Sequence, residues 1–295
     1  MNEKTEQAIN WLILIGLSLI WGSSFILMKY GLKSFSYGQV AGFRMFIAFI
    51  CLLPVALYHI KKITKKNFFS LIIVGFIGNA IPAFLFTLAE TRIESAMAGI
   101  LNSMTPFFTM IIGALIYKIK IPWLSAVGVF IGLAGAVGVI TSNTDIETGK
   151  INAFALYVVL ATIMYGININ HVKMRLNELN GTQIAAFAFL MVGPAVTAYL
   201  LSTNLPETFA QENAWNDFLY VFLLGFFGSA VAVVSVNILI QRSNALFASS
   251  VTYMMPLVAI GWGIIDGEKL TILQYAGMGL ILLGVYLVNK KRRKR

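Results

Sequence analysis

The sequence predicts an all-α integral membrane protein, ten transmembrane helices forming two inverted five-helix repeats with both termini cytoplasmic. Three observations carry this expectation. The 295 residues are 58% hydrophobic and only 12% charged, about half the charged content of a soluble domain, so the chain could not cover its own surface in water. Ten apolar stretches are long enough to cross a bilayer, which takes about 20 residues each. The chain also repeats itself. Gly75-Phe76-Ile77-Gly78-Asn79-Ala80 returns as Gly225-Phe226-Phe227-Gly228-Ser229-Ala230, and at the same offset of 150 Arg92 meets Arg242, Ala98 meets Ala248, Met104 meets Met254 and Pro106 meets Pro256. A second echo, at an offset of 144, carries Trp21-Gly22, Lys29 and Gln39 onto Tyr165-Gly166, Lys173 and Gln183. Five spans per half is an odd number, so the second half enters the membrane from the opposite side. The repeats, 1–145 and 146–295, are therefore expected to be inverted, with a site near the midplane at their interface.

The first predicted helix, 11–32, is too long and too polar at its end (Lys29, Lys33) for a signal peptide, and no small-residue cleavage site follows, so it is expected to be retained. It carries Trp21, Ser23 and Ser24, matched by Tyr165, Ile167 and Asn168 in the sixth, 151–172. An aromatic ring with a polar tip is a poor neighbour for lipid, because its N–H or O–H would go unsatisfied. Two readings follow, lining of a cavity or bonding to a neighbouring helix. The second helix, 38–60, holds Arg44 about two turns in, where it either attracts an anionic group such as a carboxylate or snorkels to the headgroups. The third, 68–89, carries Asn79 and Thr87; Ser229 and Asn237 match them in the eighth, 216–240, and all four are expected to face inward. Glu90, Arg92 and Glu94 fill the outer turn between the third and fourth helices. They gate by ion pairing, or Glu90 binds a proton if desolvation raises its pKa, or the turn is simply solvated.

The fourth helix, 94–117, and the ninth, 244–265, contain Pro106 and Pro256. Each removes a backbone donor and frees a carbonyl one turn earlier, which membrane depth tolerates only inside protein or against a cavity. Asn102-Ser103 and Thr252-Tyr253 correspond just before them. They either line a pathway or bond back to the kinked backbone. The fifth helix, 121–141, and the tenth, 270–289, are rich in glycine (Gly128, Gly132, Gly135, Gly138; Gly277, Gly279, Gly284), which lets helices approach closely in lipid. The seventh spans 182–201, the connection 202–215 reads as a short polar loop, and Asp266 and Glu268, at the outer end of the ninth, either gate by ion pairing or are simply solvated.

The net charge of +10 is distributed for a membrane and not for nucleic acid. With a cytoplasmic N-terminus, 16 of the 22 basic residues fall on inner segments, five (Lys29, Lys33, Arg92, Lys150, Lys269) fall outside, and Arg44 lies within a helix. That asymmetry satisfies the positive-inside rule for an even number of spans. The tail Lys290 to Arg295 reads as a topology anchor that favours anionic lipid. One cysteine, Cys51, and two histidines near predicted helix ends, His59 and His171, leave no disulfide framework and no metal-ligand set. No cofactor or metal is expected. A Walker loop and a Gly-x-Ser-x-Gly elbow are both absent, and no acid lies convincingly at mid-membrane, so neither a nucleotide-driven pump nor an intramembrane enzyme is expected.

Trp21-Gly22-Ser23-Ser24-Phe25 with Lys29, Arg44 early in the second helix, Pro106 and Pro256 together resemble the drug/metabolite transporter superfamily, within it the EamA-type ten-helix permeases. Gly267-Glu268…Gln274-Tyr275-Ala276-Gly277…Leu280-Ile281-Leu282-Leu283-Gly284 extends the resemblance over nearly the whole chain, as two EamA-like repeats. One departure is Tyr117-Lys118 where the second half has Gly267-Glu268. The resemblance implies a permease that moves small metabolites, and export is expected on that ground. The candidate lining (Trp21, Ser24, Asn79, Thr87, Asn102, Ser103, Tyr165, Asn168, Ser229, Asn237, Thr252, Tyr253) is mostly aromatic and neutral polar, which suits a small amphipathic solute such as an amino acid. A sugar phosphate would need several basic side chains at mid-depth. Uptake or multidrug efflux by the same fold, and a scaffold or lipid-handling protein without transport, are the alternatives. The expected partners are a small-molecule substrate and the lipid bilayer, with proton coupling left open.

Overall fold

The computed structural model describes residues 3–118, 123–141, 153–243 and 245–289, and among these every regular element is helical. The basic tail Lys290 to Arg295 and the junction at 145/146 lie outside the described residues. Ten apolar helices follow one another: α1 (Thr5–Gly31), α2 (Tyr37–Tyr58), α3 (Lys65–Ala89), α4 (Ser95–Tyr117), α5 (Trp123–Thr141), α6 (Ala155–Arg175), α7 (Gly181–Leu201), α8 (Ala214–Arg242), α9 (Phe247–Ile265) and α10 (Ile272–Asn289). Eight are long and apolar enough to cross a membrane; α5 and α10 carry the shorter apolar stretches Trp123–Val139 and Ile272–Gly284.

The repeated residues make matching local structure in both halves. Gln39 and Gln183 are each the third residue of a capping box: Ser36 accepts from the Gln39 N–H while the Gln39 amide accepts from the Ser36 N–H, and Asn180 with Gln183 does the same. Two otherwise orphaned N–H groups are satisfied at the start of α2 and of α7. The repeated glycine phrase is π-helical in both copies, over Phe76–Ala80 in α3 and Leu224–Val231 in α8. A π turn holds one extra residue and puts carbonyls out of the α ladder, and two of these are used at once. Asn79 Nδ2 donates to Val74 O at 2.8 Å, and Trp21 Nε1 donates to Gly228 O at 2.8 Å.

α4 and α9 are interrupted at corresponding places. α4 breaks at Ser103-Met104 and resumes at Thr105; α9 tightens to a 3-10 turn over Ser250–Tyr253 and resumes at Met255. Pro106 and Pro256 sit in the first turn of the resumed segments, where a missing N–H has no partner to lose. The expected loss of a ladder donor is thus replaced by a restart.

Helix contacts also come in matched pairs. α1 packs on α9 and α4 on α6; α1 packs on α8 and α3 on α6; α2 packs on α8 and α3 on α7; α2 meets its counterpart α7, and α5 meets α10. Close approach needs glycine. A Cβ on Gly75 would lie 2.7 Å from the Ala188 carbonyl oxygen, and one on Gly225 would lie 2.8 Å from Ile47 Cβ. One expectation fails between α7 and α8. The connection read as a polar loop contains a short helix, Leu205–Phe209. Its Phe209 enters a ring cluster with Phe35, Phe43, Trp215 and Phe218, while Gln39 Nε2 donates to Thr208 Oγ1 at 3.0 Å.

Candidate functional site

A cavity lies between the two halves, lined from α1 (Trp21, Ser24, Phe25, Met28), α2 (Arg44, Met45), α3 (Gly78, Asn79, Phe86) and α4 (Asn102, Thr105), and from α6 (Tyr165, Asn168, Ile169), α8 (Gly228, Ser229, Val233, Val236, Asn237, Ile240) and α9 (Ala248, Ser249, Val251, Thr252, Met255). Counted as the space open to the centres of water molecules, its volume is about 90 Å³. One water needs on the order of 10–15 Å³ on that measure, so the cavity has room for several waters or one small solute.

Many of its polar groups are spent on the fold. The Ser24 hydroxyl donates to Ile20 O at 3.0 Å, and Thr252 Oγ1 donates to Ser249 O at 3.0 Å. The Trp21 indole combines both readings open to it, since its ring faces the cavity while its N–H ties α1 to the α8 π segment. Asn102 Nδ2 reaches the Met255 sulfur, at 3.5 Å. Other groups are unspent. Among the described residues no hydrogen-bond partner is found for the buried amide oxygens of Asn168 and Asn237, nor for the Tyr165 hydroxyl, whose ring stacks on Phe86.

Arg44 is buried, 8% exposed, and does not reach the rim as a snorkelling residue would. Its Nε donates to Ser229 Oγ at 3.1 Å and its Nη1 to the Met28 sulfur at 3.5 Å. The second terminal nitrogen of the guanidinium is left without a protein acceptor among the described residues. Three residues of the predicted lining stand elsewhere. Thr87 is fully buried, with its hydroxyl bonded back to Ala83 O and Phe84 O. Ser103 is buried in the α4 break, its hydroxyl unpartnered among the described residues. Tyr253 packs against the core beside the cavity instead of lining it. Ser103 and Tyr253 fall at irregular turns, where the sequence period does not resolve helix phase, while Thr87 turns its hydroxyl onto its own helix backbone.

At the Lys29 end of the bundle the acids are not simply solvated. Lys29 Nζ lies 2.6 Å from Asp266 Oδ2 and 2.7 Å from Glu268 Oε1. Glu268 in turn accepts from Ser95 Oγ at 2.6 Å and from the Ala96 N–H at 3.1 Å, at the start of α4. The Tyr30 hydroxyl donates to Asp266. The Lys29 hydrogen bond, then that of Tyr30, holds the Asp266 carboxyl below its ordinary 3.8. Glu90 is 8% exposed, both its carboxylate oxygens lack a hydrogen bond among the described residues, and Arg92 is exposed on the same turn. At the opposite end Lys173 Nζ donates to the carbonyls of Ile240 (3.0 Å), Gln241 (3.2 Å) and Ser243, which close α8. Lys29 and its two acids were missed as a cluster. The signal available was that Lys29 belongs to the 144-residue echo and Glu268 to the closing pattern of α9–α10.

The comparisons with known proteins agree with this architecture. A model of the EamA-like transporter family matches residues 9–141 and again 152–290. The uncharacterized inner membrane transporter YedA of Escherichia coli K12 is 27% identical over 282 residues, covering 94% of this chain and 89% of that protein. A probable terminal-alkyne amino-acid exporter of Streptantibioticus cattleyicolor is 21% identical over 292 residues, covering 98% of this chain and 95% of that one. A solved crystal structure at 14% identity superposes with a TM-score of 0.68 over 96% of both chains, which is a likeness of fold. With the family matched over both halves, the chain belongs to the EamA-like transporter family.

Proposed function

We propose that the protein is a secondary transporter that exports a small zwitterionic metabolite, an amino acid or a close relative, by alternating access between two inverted five-helix repeats. The carrying observation is the cavity itself. It is built from corresponding helices of both halves, with a buried guanidinium and two unpaired amide oxygens facing a mainly apolar wall. Arg44 suits a carboxylate, for which a guanidinium fork is matched. The Asn168 and Asn237 oxygens and the Tyr165 hydroxyl suit an ammonium, and the aromatic and methionine wall suits an apolar side chain. The Streptantibioticus relative, a probable amino-acid exporter by name, supports the same class.

Inversion of the halves is supported by how the ends meet. Arg242 at the end of α8 donates to Asn10 near the start of α1, while Lys173 at the end of α6 contacts the same end of α8. α6 therefore finishes where its counterpart α1 begins. With the positive-inside orientation, the Lys29 end faces outward and both termini face the cytoplasm.

Efflux from proteoliposomes loaded with labelled amino acids tests the reading. Wild type is expected to release at least one of them, and Arg44→Gln to slow that release by roughly tenfold or more, a cost of about 1.4 kcal/mol per tenfold. Correctly inserted, monodisperse wild-type protein that releases none would leave the scaffold reading in place. Flux that Arg44→Gln leaves untouched would remove the carboxylate subsite.

A further inference from the structure

Glu90 is the one buried carboxylate among the described residues whose two oxygens both lack a hydrogen bond. It stands one residue beyond the end of α3, 8% exposed. The charged groups facing it are Arg44 from α2, Lys29 from α1 and Glu268 from the turn after α9. On its own turn, Arg92 is exposed and Glu94 partly buried. Arg44 is held elsewhere by Ser229 and Met28. An ionised carboxylate buried without partners is costly, so such a group keeps its proton. Burial accordingly holds the Glu90 carboxyl well above its ordinary 4.5, Glu268 acts in the same direction, and Arg44 and Lys29 oppose it.

The repeat indicates what the empty carboxylate is for. Lys29 and Lys173 correspond at the offset of 144, yet they hold non-corresponding partners. Lys29 holds the turn after α9, whereas Lys173 holds the end of α8. In a carrier built on two like halves, the opposite-facing conformation is reached when each half takes the arrangement of the other. The offset of 150 carries Ile240, Gln241 and Ser243 onto Glu90, Thr91 and Ile93. Exchanged, Lys29 would leave Asp266 and Glu268 and settle on the end of α3, where the free carboxylate of Glu90 stands.

We propose that Glu90 is a proton-binding site which, on releasing its proton, becomes the seat of the Lys29 ammonium in the opposite-facing conformation. The Oε–H bond of Glu90 breaks, the proton passes to water, and the carboxylate pairs with an ammonium that is already charged. Glu268 keeps its bonds from Ser95 and Ala96 after Lys29 departs. Low pH therefore holds the conformation with Lys29 on Asp266 and Glu268, and raising the pH through the elevated Glu90 value releases it. The inference rests on the transport reading only in taking the two halves to exchange arrangements.

The test is a distance measurement needing no substrate. Spin labels at Lys33→Cys and Lys269→Cys, both exposed, in a Cys51→Ala background report the separation of the end of α1 from the α9–α10 turn in nanodiscs. Wild type is expected to show one short distance at acidic pH and a growing longer population as pH rises. Glu90→Gln, which mimics the protonated acid and so fits this conformation, is expected to hold the short distance at every pH. Lys29→Gln is expected to lose the pH response. A wild-type response surviving in either variant, or no response in wild type, overturns the proposal. A pH-driven change in a protein that moves no solute would sink the transport reading and leave this one standing; solute flux without the change would do the reverse.

Discussion

The two ends of the bundle are tied by lysines that correspond in the repeat, but the ties are of different kinds. Lys29 meets two carboxylates on a neighbouring turn, and one of them, Glu268, is itself fixed by the start of α4. Among the described residues Lys173 meets only backbone carbonyls at the end of α8. The departure from the repeat explains the difference, because Lys118 stands where the second half has Glu268, so no acid awaits Lys173 there. One end is held by charge in a half-buried setting, the other by the negative end of a helix. Like halves need not make like ties.

The largest expected effect breaks this comparison directly. Lys29→Ala leaves Glu268, whose side chain is 3% exposed, without its cation, and removing one partner of a buried pair typically costs about 3–5 kcal/mol. Lys29 itself is 35% exposed, so we expect the low side, about 2 kcal/mol once solvent screening is allowed for. Lys173→Ala removes a cation from a helix C-terminus and should cost about 1 kcal/mol. Thermal melting in detergent compares them, and equal losses would mean that the ends are held alike. The Lys29 contribution has a pH signature. Because the Asp266 value is lowered in the fold, its stabilisation is present above its ordinary 3.8 and is lost only as pH falls through a lower value. The part of the melting gap between wild type and Lys29→Ala that Asp266 carries should therefore narrow only in acid stronger than that ordinary value.

The next effect is of comparable size and concerns glycine contacts. Gly75→Ala would put its Cβ 2.7 Å from the Ala188 backbone oxygen, which cannot move without α7, and overpacking of this kind costs about 1–3 kcal/mol. Gly279 faces open space, so Gly279→Ala should be close to neutral, or slightly favourable through helix propensity. A melt that ranks the two the other way would show that the α3–α7 contact is looser than the structure has it.

Much of the architecture was legible because it lies in periodicities the chain displays. Length and apolarity gave the helices, and the echo gave the matching breaks in α4 and α9. The glycine phrase was read as packing, which Gly75 and Gly225 do. That the same phrase winds as a π turn was not legible, since one added residue per turn leaves no mark in an all-apolar stretch. Some cavity residues that sequence and structure share, Tyr165, Asn168 and Asn237, are polar groups on regular turns, where helix phase can be followed; others, Asn79, Asn102, Ser229 and Thr252, lie at the irregular turns and are found through the repeat. Thr87, Ser103 and Tyr253 sit where phase slips or a hydroxyl finds its own backbone. The sequence leaves Glu90 open between gating, proton binding and a solvated turn, because its burial depends on α1, α2 and the turn after α9, elements distant in sequence. Lys29 and Glu268, 239 residues apart, meet only after the halves have packed.

The smallest expected effect falls where the halves are most alike. Ser36 and Asn180 each cap a helix, with Gln39 and Gln183 completing the boxes, and replacing such a cap by alanine costs about 1 kcal/mol. Ser36→Ala and Asn180→Ala should therefore lower stability by similar small amounts. They should add in the double variant, since the caps lie at opposite ends of a bundle in which α2 and α7 pack along their lengths. A marked difference would have one ready physical source. Gln39 also donates to Thr208 in the short helix before α8, whereas the Gln183 amide has no corresponding short helix to hold. Losing the Ser36 cap frees Gln39 and loosens that contact as well. An excess loss for Ser36→Ala, abolished by Thr208→Val, would trace the asymmetry to the Lys29 end, where the ion cluster and the added helix already set the two halves apart.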